Sequence, residues 1–335
     1  MRRAALLLPA LLAGCNGVQT ATGGQGLGSQ GFNSLFTIFN LVAAVFFLLV
    51  LAGLAAAILR RRGSRGDGMA DERAVDPRDR TLSKLLIVWV VLVGLGLALL
   101  TIFSWLGDRR AVASTADPLL DVTVTARQWW WQVDYGGVQA NQGFTTANEI
   151  HLPVGVPARI TLRSNDVIHS FWIPNLAGKQ DLIPGRQNDI IVTPTAVGRY
   201  RGQCAEYCGL QHAHMAFDVI VESREDFARW RMAQLAPPPA PDNPLRQAGF
   251  NYVTTRECAS CHNITGTNAS GRVGPDLTHV ASRLSIGAGT YPMTRGHLYG
   301  WVADPQSAKP GNQMPVVGLD PNELHAVVAY LESLR

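Results

Sequence analysis

The five cysteines of this 335-residue chain fall into three short patterns whose residue types could each carry a distinct chemistry. Cys15 ends the string LLAGC, directly after a short basic and apolar N-terminus. The string CAEYCGLQHAHM occupies residues 204–215, and the string CASCH occupies residues 258–262. In chain order, these patterns indicate a lipid-anchored cysteine, a copper site and a covalent haem site. Together they predict an electron-transfer protein.

The second pattern holds soft ligands for a transition metal. Cys204 and Cys208 are four residues apart with a glycine directly after them, so a tight loop can direct both thiolates inward. His212 and Met215 follow on the same loop, and His169 lies earlier in the chain. Soft sulfur and imidazole ligands from one domain favour copper. A mononuclear blue copper site needs only one cysteine, so the second thiolate allows two coppers bridged by both sulfurs.

Two alternative interpretations of this cluster exist. Two cysteines in an oxidising compartment can form a disulfide, and a cluster of cysteine and histidine can bind zinc. Both alternatives leave Met215 and the distant His169 without a role. The remaining histidines outside the haem motif are interpreted as solvent-side residues rather than metal ligands. They are His151, His214, His279, His297 and His325.

The string CASCH is typical of c-type haem attachment. The thiols of Cys258 and Cys261 add to the haem vinyl groups, and the adjacent His262 binds the iron. A thioredoxin-like redox pair is the alternative, but such a pair needs a βαβ context that this part of the sequence lacks. The second axial ligand must come from further along, where Met314 lies in a turn-rich loop and Met293 is its competitor.

The stretch 248–334, which includes GPDL at 274–277, resembles a small class I cytochrome c. In that family the axial methionine lies in a loop just before the terminal helix, so the resemblance implies Met314. It also implies that the carbonyl of Pro275 accepts a hydrogen bond from the ring of His262.

The N-terminus, residues 1–14, has the basic start and apolar run of an export signal and is too short to span a bilayer. Its ending resembles the lipobox of bacterial lipoproteins, which implies cleavage before Cys15 and acylation of its sulfur. An ordinary signal peptide followed by an incidental cysteine is the alternative. Residues 15–34 then form an N-terminal extracytoplasmic segment.

Two apolar segments within residues 35–106 are predicted to form a transmembrane hairpin. They cover 35–59 and 82–106, and about 25 residues each suffice to cross a ~30 Å hydrocarbon core. The arginine-rich loop 60–81 is predicted to be cytoplasmic by the positive-inside rule, so both ends lie outside. A buried hairpin of a soluble protein is the alternative, which such long, nearly uncharged segments disfavour. The net charge of +4 forms no basic stripe, so nucleic acid is not a predicted partner.

Short alternating runs within residues 117–235 predict an all-β sandwich or barrel of antiparallel strands. The proline-rich stretch 236–244 is interpreted as a semi-rigid spacer. Residues 245–335 follow as a small helical domain, whose last helix is predicted at 321–334 from apolar residues at helical spacing. The predicted strands are 121–125, 149–152, 159–163, 189–193 and 217–221.

Four motifs resemble subunit II of haem–copper cytochrome c oxidases: QWWW at 128–131, HSFWIP at 169–174, PGR at 184–186 and the string at 204–215. The resemblance extends from the two apolar segments to about Glu222. It implies a cupredoxin-like fold and a dinuclear copper centre of the CuA type. The implied bridging ligands are Cys204 and Cys208, each copper also binds His169 or His212, and the weak ligands are Met215 and the carbonyl of Glu206.

The same resemblance implies two further roles. The side chain of Glu206 helps to hold a magnesium ion with waters and residues of subunit I, since one carboxylate cannot fill an octahedral site. Trp129 is implied as the point at which electrons enter near CuA. From the residues alone, the three rings at 129–131 would pack on alternating faces of a strand.

The order of the segments resembles subunit II of a caa3-type oxidase. This resemblance implies a multidomain fold with a two-helix transmembrane hairpin, an all-β cupredoxin-like sandwich and an all-α class I cytochrome c domain. It implies that electrons pass from covalent haem c to CuA and on to subunit I, which reduces oxygen to water. The implied partners are subunits I and III and a donor such as a cytochrome c or a bc1-type complex. The implied location is the bacterial cytoplasmic membrane, with both soluble domains on its periplasmic or outer face.

Two other functions fit some of these features. A CuA-containing nitric oxide reductase could use the same electron-accepting subunit, because the acceptor reaction is not encoded in this chain. A membrane-anchored copper carrier for oxidase assembly would have no use for a covalent haem, so CASCH distinguishes that alternative.

Overall fold

The computed structural model describes residues 17–63, 77–113, 120–136 and 143–335. The signal segment, the predicted lipid attachment at Cys15 and part of the predicted cytoplasmic loop lie outside these ranges. The chain divides into two compact units, of which one comprises residues 31–116 and the other contains the remaining residues.

The first unit is built mainly from two long helices, α1 (Leu27–Gly63) and α2 (Pro77–Ala113), although residues 27–30 of α1 belong to the other unit. Within them, Leu27–Leu59 and Arg80–Gly107 are long and apolar enough to cross a membrane. Both helices extend beyond the predicted apolar segments, because adding residues to an existing helix is easier than starting one. Most of their large apolar side chains are exposed. This composition suggests that the helices anchor the protein in a membrane.

The second unit begins with a β-sandwich of two five-stranded sheets, ordered β3-β2-β1-β5-β8 and β4-β10-β9-β6-β7. The strands are β1 (Leu120–Arg127), β2 (Trp130–Tyr135), β3 (Phe144–Ala147), β4 (Glu149–Pro153), β5 (Ala158–Ser164), β6 (His169–Trp172), β7 (Lys179–Leu182), β8 (Asn188–Val192), β9 (Gly198–Cys204) and β10 (Ala216–Glu222). The predicted sandwich is confirmed. The expectation of antiparallel strands is wrong for two pairs, because β1 lies parallel to β5 and β4 lies parallel to β10. Alternation reveals which face of a strand is buried but not the direction of its neighbour.

The core of the sandwich lies between the two sheets. Alternation along β1 places Val122 and Val124 inward, where both are fully buried. Trp131 on β2 crosses to the other sheet and contacts Phe171 and Phe217 edge to face, with centroids 6.0 and 5.2 Å away. These aromatic contacts join the sheet that carries the predicted copper ligands to the sheet behind it.

A helix, α3 (Arg224–Leu235), closes the β-domain after its last strand. The hydroxyl of Ser223 caps it by accepting the backbone N–H of Asp226. Phe227 and Trp230 pack against the sandwich core. The predicted all-β region therefore ends in a helix.

Residues 17–30 are an integral part of the β-domain. The backbone N–H of Gln25 donates to the carbonyl of Asn175 at 2.9 Å, and that of Leu27 donates to the carbonyl of Thr193 at 3.0 Å. The hydroxyl of Ser29 also donates to the Asn175 carbonyl, at 2.6 Å. Residues 17–30 of the predicted extracytoplasmic segment thus pack onto the sandwich, although most of the two long helices separates them from it in sequence.

The helical domain consists mainly of α4 (Pro244–Thr255), α5 (Glu257–Cys261), α6 (Arg295–Ala303), α7 (Pro305–Ala308) and α8 (Pro321–Leu331), with a hairpin of β11 (Ser285–Ile286) and β12 (Tyr291–Pro292). Helices α4 and α8 cross at Gly249, where a Cβ would overlap the carbonyl of Ala326. Only glycine permits this close crossing. A capping box between Asp320 and Glu323 starts α8 at its observed position.

The β-domain and the helical domain contact each other directly. The backbone N–H of Ala216 donates to the carbonyl of Ala288 at 2.9 Å. The backbone N–H of Leu284 donates to the carboxylate of Glu149 at 3.1 Å. The proline-rich stretch 236–244 therefore joins two domains that are already docked.

Candidate copper and haem sites

His169 and Cys204 come together because their strands are neighbours in one sheet. Strand β6 pairs with β9, so that Phe171 lies opposite Cys204. His169 begins β6 and Cys204 ends β9. The chain then turns through residues 205–215 and returns beside β9 as β10. The other predicted copper ligands lie on this turn, which we call the copper loop.

Two sulfur atoms lie at the centre of the cluster. Cys204 Sγ lies 3.7 Å from Cys208 Sγ and 3.9 Å from His169 Nδ1. Cys208 Sγ lies 3.6 Å from His212 Nδ1 and 3.8 Å from Met215 Sδ. Both cysteines are buried free thiols. The structure thus brings together the five side chains assigned to copper, with one imidazole beside each sulfur.

The donor chemistry of this cluster fits copper. Thiolate, imidazole and thioether groups are the ligands that soft and borderline copper ions prefer. The ligand atoms of His169, Cys204 and Cys208 all lie within 4.8 Å of one another. Met215 is 1 % exposed and directs its sulfur at Cys208, a contact that a zinc site would not require.

Hydrogen bonding between the two thiols shifts their pKa values in opposite directions. The hydrogen bond with Cys208 lowers the pKa of Cys204 to about 3, although burial opposes this effect. The same hydrogen bond and burial raise the pKa of Cys208. The pair therefore carries one negative charge easily and retains its second proton. A metal cation must displace that proton, so we expect metal binding to depend on pH.

Glu206 has its backbone and its side chain in different surroundings. Its carbonyl oxygen lies 3.1 Å from Cys204 Sγ. Its carboxylate is at the surface, where it accepts the backbone N–H of Tyr207 at 3.2 Å. The carbonyl is therefore placed beside the thiols, whereas the carboxylate faces away from them.

Asp166 is a residue at this site that the sequence analysis missed. Its Oδ1 accepts a hydrogen bond from Nε2 of His169 at 2.7 Å, which leaves Nδ1 of the ring toward Cys204. Its Oδ2 accepts the backbone N–H of Gln128 at 2.6 Å. Burial raises the pKa of Asp166, but these hydrogen bonds lower it overall. Asp166 thus orients a predicted copper ligand and fixes the turn that carries Trp129.

A large cavity borders the helical domain and is lined by Cys258, Cys261, His262 and Met314. Both cysteines lie on α5, and His262 follows directly. Met293, the competing methionine, packs instead against the hydrophobic cluster of the helical domain. The structure therefore brings Met314 to the same cavity as His262.

The ring of His262 is held in one orientation. Its Nδ1 donates to the carbonyl of Pro275 at 2.7 Å, the contact that the resemblance implied, and Nε2 remains for iron. Burial lowers the pKa of His262, and a neutral imidazole is the form that binds a metal. A Cβ at Gly274 would lie 2.6 Å from Cε1 of this ring, so a larger residue would displace it.

Arg283 is a second residue that the sequence analysis missed. It lines the cavity and is only 7 % exposed. Its guanidinium donates to the carbonyl of Asp276, while Nε has no hydrogen-bond partner within the described part of the chain. A buried guanidinium with an unused donor fits an acidic group, and haem carries two carboxylates. The cavity thus matches a c-type haem in its thiols, its histidine and its buried cation.

Trp129 lies between the cavity and the copper loop. It occupies the turn between β1 and β2, so the expectation of three tryptophans on one strand is wrong for this residue. Its indole Nε1 donates to the carbonyl of Cys208 at 2.9 Å. A Cβ on Gly209 of the copper loop would lie 3.1 Å from the ring, and one on Gly311 of the helical domain would lie 3.9 Å from it. Trp129 also lines the cavity.

The five histidines not assigned to metal have protein partners. His214 is exposed, and its ring bonds to Gln211. The partners of the others are Glu149 and Glu222 for His151, the carbonyl of Ala236 for His279, Thr294 for His297 and Tyr299 for His325. His151 and His279 are buried, so the solvent-side interpretation is wrong for these two residues.

Two family models match the chain. Residues 138–223 match the periplasmic domain of cytochrome c oxidase subunit II, and residues 247–335 match cytochrome c. The two matches imply a copper site in the first region and a haem in the second.

Curated relatives match over most of the chain. Cytochrome c oxidase subunit 2 of Alkalihalophilus pseudofirmus is 30 % identical over 331 residues, which cover 98 % of this chain and 95 % of the relative. The protein of the same name from Bacillus sp. strain PS3 is 31 % identical over 271 residues, which cover 75 % of this chain and 74 % of that relative. A crystal structure of the periplasmic domain of subunit II from Bradyrhizobium japonicum is 30 % identical with a TM-score of 0.33, covering 35 % of this chain and 94 % of that one. The chain therefore belongs to the cytochrome c oxidase subunit 2 family and carries a cytochrome c domain at its C-terminus.

Proposed function

We propose that this chain is the electron-accepting subunit of a terminal respiratory oxidase. Electrons from an external donor reach a covalent haem c, pass to a dinuclear CuA centre and leave for subunit I, which reduces oxygen to water. When bound, haem and copper supply reversible one-electron chemistry. The nitric oxide reductase alternative is less favoured, because the relatives are named cytochrome c oxidase subunit 2.

The observation that carries this proposal is the position of Trp129. Its indole donates to the backbone of Cys208, a predicted copper ligand, and its ring lines the cavity that contains His262. One aromatic side chain therefore touches both sites from within the protein. Electrons need no docking of a separate cytochrome to reach the copper loop from this cavity.

The geometry described above supports the following assignments for the residues that would hold the two groups. Cys258 and Cys261 would attach the haem, His262 and Met314 would bind its iron, and Arg283 would meet an acidic group. Copper would be held by the paired thiolates and their neighbours. These ligands are His169, Cys204, Cys208, His212, Met215 and the carbonyl of Glu206.

The remaining assignments concern the surroundings of the chain. The exposed carboxylate of Glu206 supports a magnesium site completed by subunit I. The two apolar helices and the family support association with a haem–copper oxidase in the bacterial cytoplasmic membrane. We further propose periplasmic or outer-face soluble domains, lipidation at Cys15, contact with a subunit III, and a cytochrome c or bc1-type complex as donor.

The test is rapid reduction of the haem in the full chain, loaded with copper and haem in detergent. We expect the electron to appear at CuA in a unimolecular step. In Trp129→Phe the hydrogen bond to Cys208 is lost, and we expect this step to slow roughly tenfold to a hundredfold, as when a positioned contact is lost. Stopped-flow or flash absorbance at the two chromophores measures both rates.

Trp130→Phe provides the comparison. Trp130 also lines the cavity, but the guanidinium of Arg127 lies over its ring, 5.6 Å from the ring centroid. We expect Trp130→Phe to slow transfer much less than Trp129→Phe. Equal rates in wild type and Trp129→Phe would exclude Trp129 as the link, and a wild type without internal transfer would exclude the proposed function.

A further inference from the structure

Lys309 follows α7 and is buried at the contact between the two soluble domains. It is only 2 % exposed. Its ammonium donates hydrogen bonds to the carbonyls of Trp129 at 2.8 Å, His214 at 2.7 Å and Gly287 at 2.8 Å. Two of these acceptors belong to the cupredoxin-like domain, and the third belongs to the cytochrome c domain. All three N–H groups of the lysine are therefore used.

Burial of this cation is energetically unfavourable. Burial lowers the pKa of Lys309 to about 7, while the nearby Cys208 opposes this effect. Its three partners are neutral backbone carbonyls, and no carboxylate among the described residues pairs with the charge. A lysine is seldom buried in such surroundings without a partner of opposite charge. What the ammonium supplies here is a three-way connection between fixed backbone positions in two domains.

The residues that follow Lys309 extend the same contact. The carbonyl of Pro310 accepts a hydrogen bond from the side chain of Gln211, in the copper loop, at 2.7 Å. Gly311 packs against the ring of Trp129. The loop then leads to Met314 in the haem cavity, which Lys309 also lines. Lys309 thus lies where the cavity, Trp129 and the copper loop meet.

We propose that Lys309 is a positioning residue for electron transfer, which fixes the cytochrome c domain on the cupredoxin-like domain with Trp129 held between them. This inference rests on the proposed function for its consequence, but the docking itself is a property of the folded chain. Lys309 is not an assigned ligand of either group, and it acts through the backbone of Trp129 and of the copper loop.

The first test needs neither copper nor haem. The full wild-type chain in detergent is treated with an amine acetylating reagent, and modification of each lysine is followed by mass spectrometry. The exposed Lys179 on β7 is the internal control. We expect Lys309 to react at least about tenfold more slowly than Lys179, because the reagent reaches Lys309 only when the two domains separate. Equal reactivity of the two lysines would overturn the docking.

The second test compares Lys309→Met with Lys179→Met in the full chain loaded with copper and haem. Methionine keeps much of the apolar stem but donates no hydrogen bond. We expect Lys309→Met to keep its metal content and covalent haem, and to transfer electrons from haem to CuA roughly tenfold to a hundredfold more slowly. Pulsed magnetic resonance should show a wider spread of distances between the two centres. Lys179→Met should match wild type in both measurements.

The outcomes separate this inference from the proposed function. A Lys309→Met protein with the wild-type rate and distance distribution would overturn the positioning role. A wild type without transfer would overturn the proposed function instead, and the acetylation comparison would still decide the docking. The same comparison decides it if Lys309→Met does not fold.

Discussion

Cys208 occupies a central position at the scale of single residues. Its Sγ lies near three other predicted ligands, and its carbonyl accepts a hydrogen bond from the indole N–H of Trp129. We expect Cys208→Ser to abolish the mixed-valence copper signal, because a hydroxyl cannot bridge two coppers as a thiolate does. Haem attachment should persist, since Cys258 and Cys261 lie in the other domain. Electron paramagnetic resonance and the absorbance of covalent haem measure the two results.

The reciprocal variant is the control. Cys261→Ser should remove one thioether bond and leave the copper signal unchanged. A wild-type protein that binds one copper per chain, or zinc, would rule out the dinuclear centre. Loss of the haem in Cys208→Ser would show that the two sites do not mature independently.

Met314 and Met293 offer a direct comparison of axial ligands. Met314 lines the cavity with His262, whereas Met293 packs into the hydrophobic cluster of the domain. We expect Met314→Ala to lower the reduction potential of the haem and to change its visible spectrum, because a thioether ligand raises the potential. Met293→Ala should reduce thermal stability with little change in the spectrum. The opposite pattern would assign the iron ligand to Met293.

The ligand patterns could be recognised in the sequence because their chemistry restricts spacing. A haem needs two thiols and a histidine within one turn of chain, and a bridging pair of thiolates needs one short loop. Asp166, Arg283 and Lys309 could not be recognised in this way. Each acts on a partner that only the folded chain brings near, such as the ring of His169 or the backbone of Trp129.

At the scale of secondary-structure elements, one corner of the sandwich depends on a buried histidine. His151 on β4 is held between Glu149 of the same strand and Glu222 at the end of β10. Its ring stacks on Trp230 of α3, with centroids 3.9 Å apart. Glu149 also accepts the backbone N–H of Leu284 from the cytochrome c domain. This corner therefore joins two strands, a helix and the neighbouring domain.

This corner should make stability depend on pH. Burial lowers the pKa of His151, but the hydrogen bonds of Glu149 and Glu222 raise it overall above its usual value of 6.5. The protonated histidine therefore stabilises the fold fully below pH 6.5, and the contribution is lost as pH rises through the higher value in the folded state. We expect His151→Gln to lower the free energy of unfolding by about 2 kcal/mol at low pH, which is the typical contribution of a hydrogen bond to a charged group. Thermal unfolding across a pH series measures the difference.

His297→Gln is the matched control, because His297 is only partly buried and bonds to Thr294, the N-cap residue of its own helix. We expect its unfolding temperature to follow wild type at every pH. If His151→Gln lowers the stability of the protein equally at low and high pH, the ring contributes by packing on Trp230 alone.

Strands were predictable where one face is buried and the other is polar. The alternation of β1, β5 and β10 marked them to within two residues of their observed ends. Strands β6 and β9 were missed because apolar and polar residue types do not alternate cleanly along them in the sequence. His169 and Ser170 on successive faces of β6 are both fully buried, and β9 mixes glycine with charged residues. Burial imposed by a ligand cluster therefore hides the strand pattern.

At the scale of the whole molecule, the fused donor should make internal electron transfer insensitive to salt. The domains are docked by short hydrogen bonds, including those of Leu284 and Lys309. Salt screens charges separated by more than about 8–10 Å at physiological strength and has little effect on buried contacts. We expect the rate from haem to CuA to change little across an ionic-strength series. Flash kinetics on the loaded full chain measures it.

Reduction of the haem by an external cytochrome serves as the contrasting measurement. That step involves diffusion and charged surfaces, so it should respond to salt. An internal rate that falls with salt as steeply as the external one would mean that the fused domain leaves its docked position before it transfers an electron.

The arrangement of the domains was only partly predictable. The prolines at 236–244 predict a spacer between two domains. The docking was not predictable, because most of its partners are backbone groups, such as the carbonyl of Ala288 and the N–H of Leu284. The amino-acid sequence carries little information about which backbone groups of distant segments form hydrogen bonds with each other.

The packing of residues 17–30 onto the sandwich has a consequence for how the protein is made. Ser29 and its acceptor Asn175 are 146 residues apart, and most of α1 and all of α2 are synthesised between them. Residues 17–30 must therefore wait for much of the chain before they find their partner, and such distant contacts form slowly. We expect this packing to form only after the helices have been inserted. A recombinant fragment that begins at residue 117 would lack it, and would expose the backbone of Asn175 and Thr193 to chance partners.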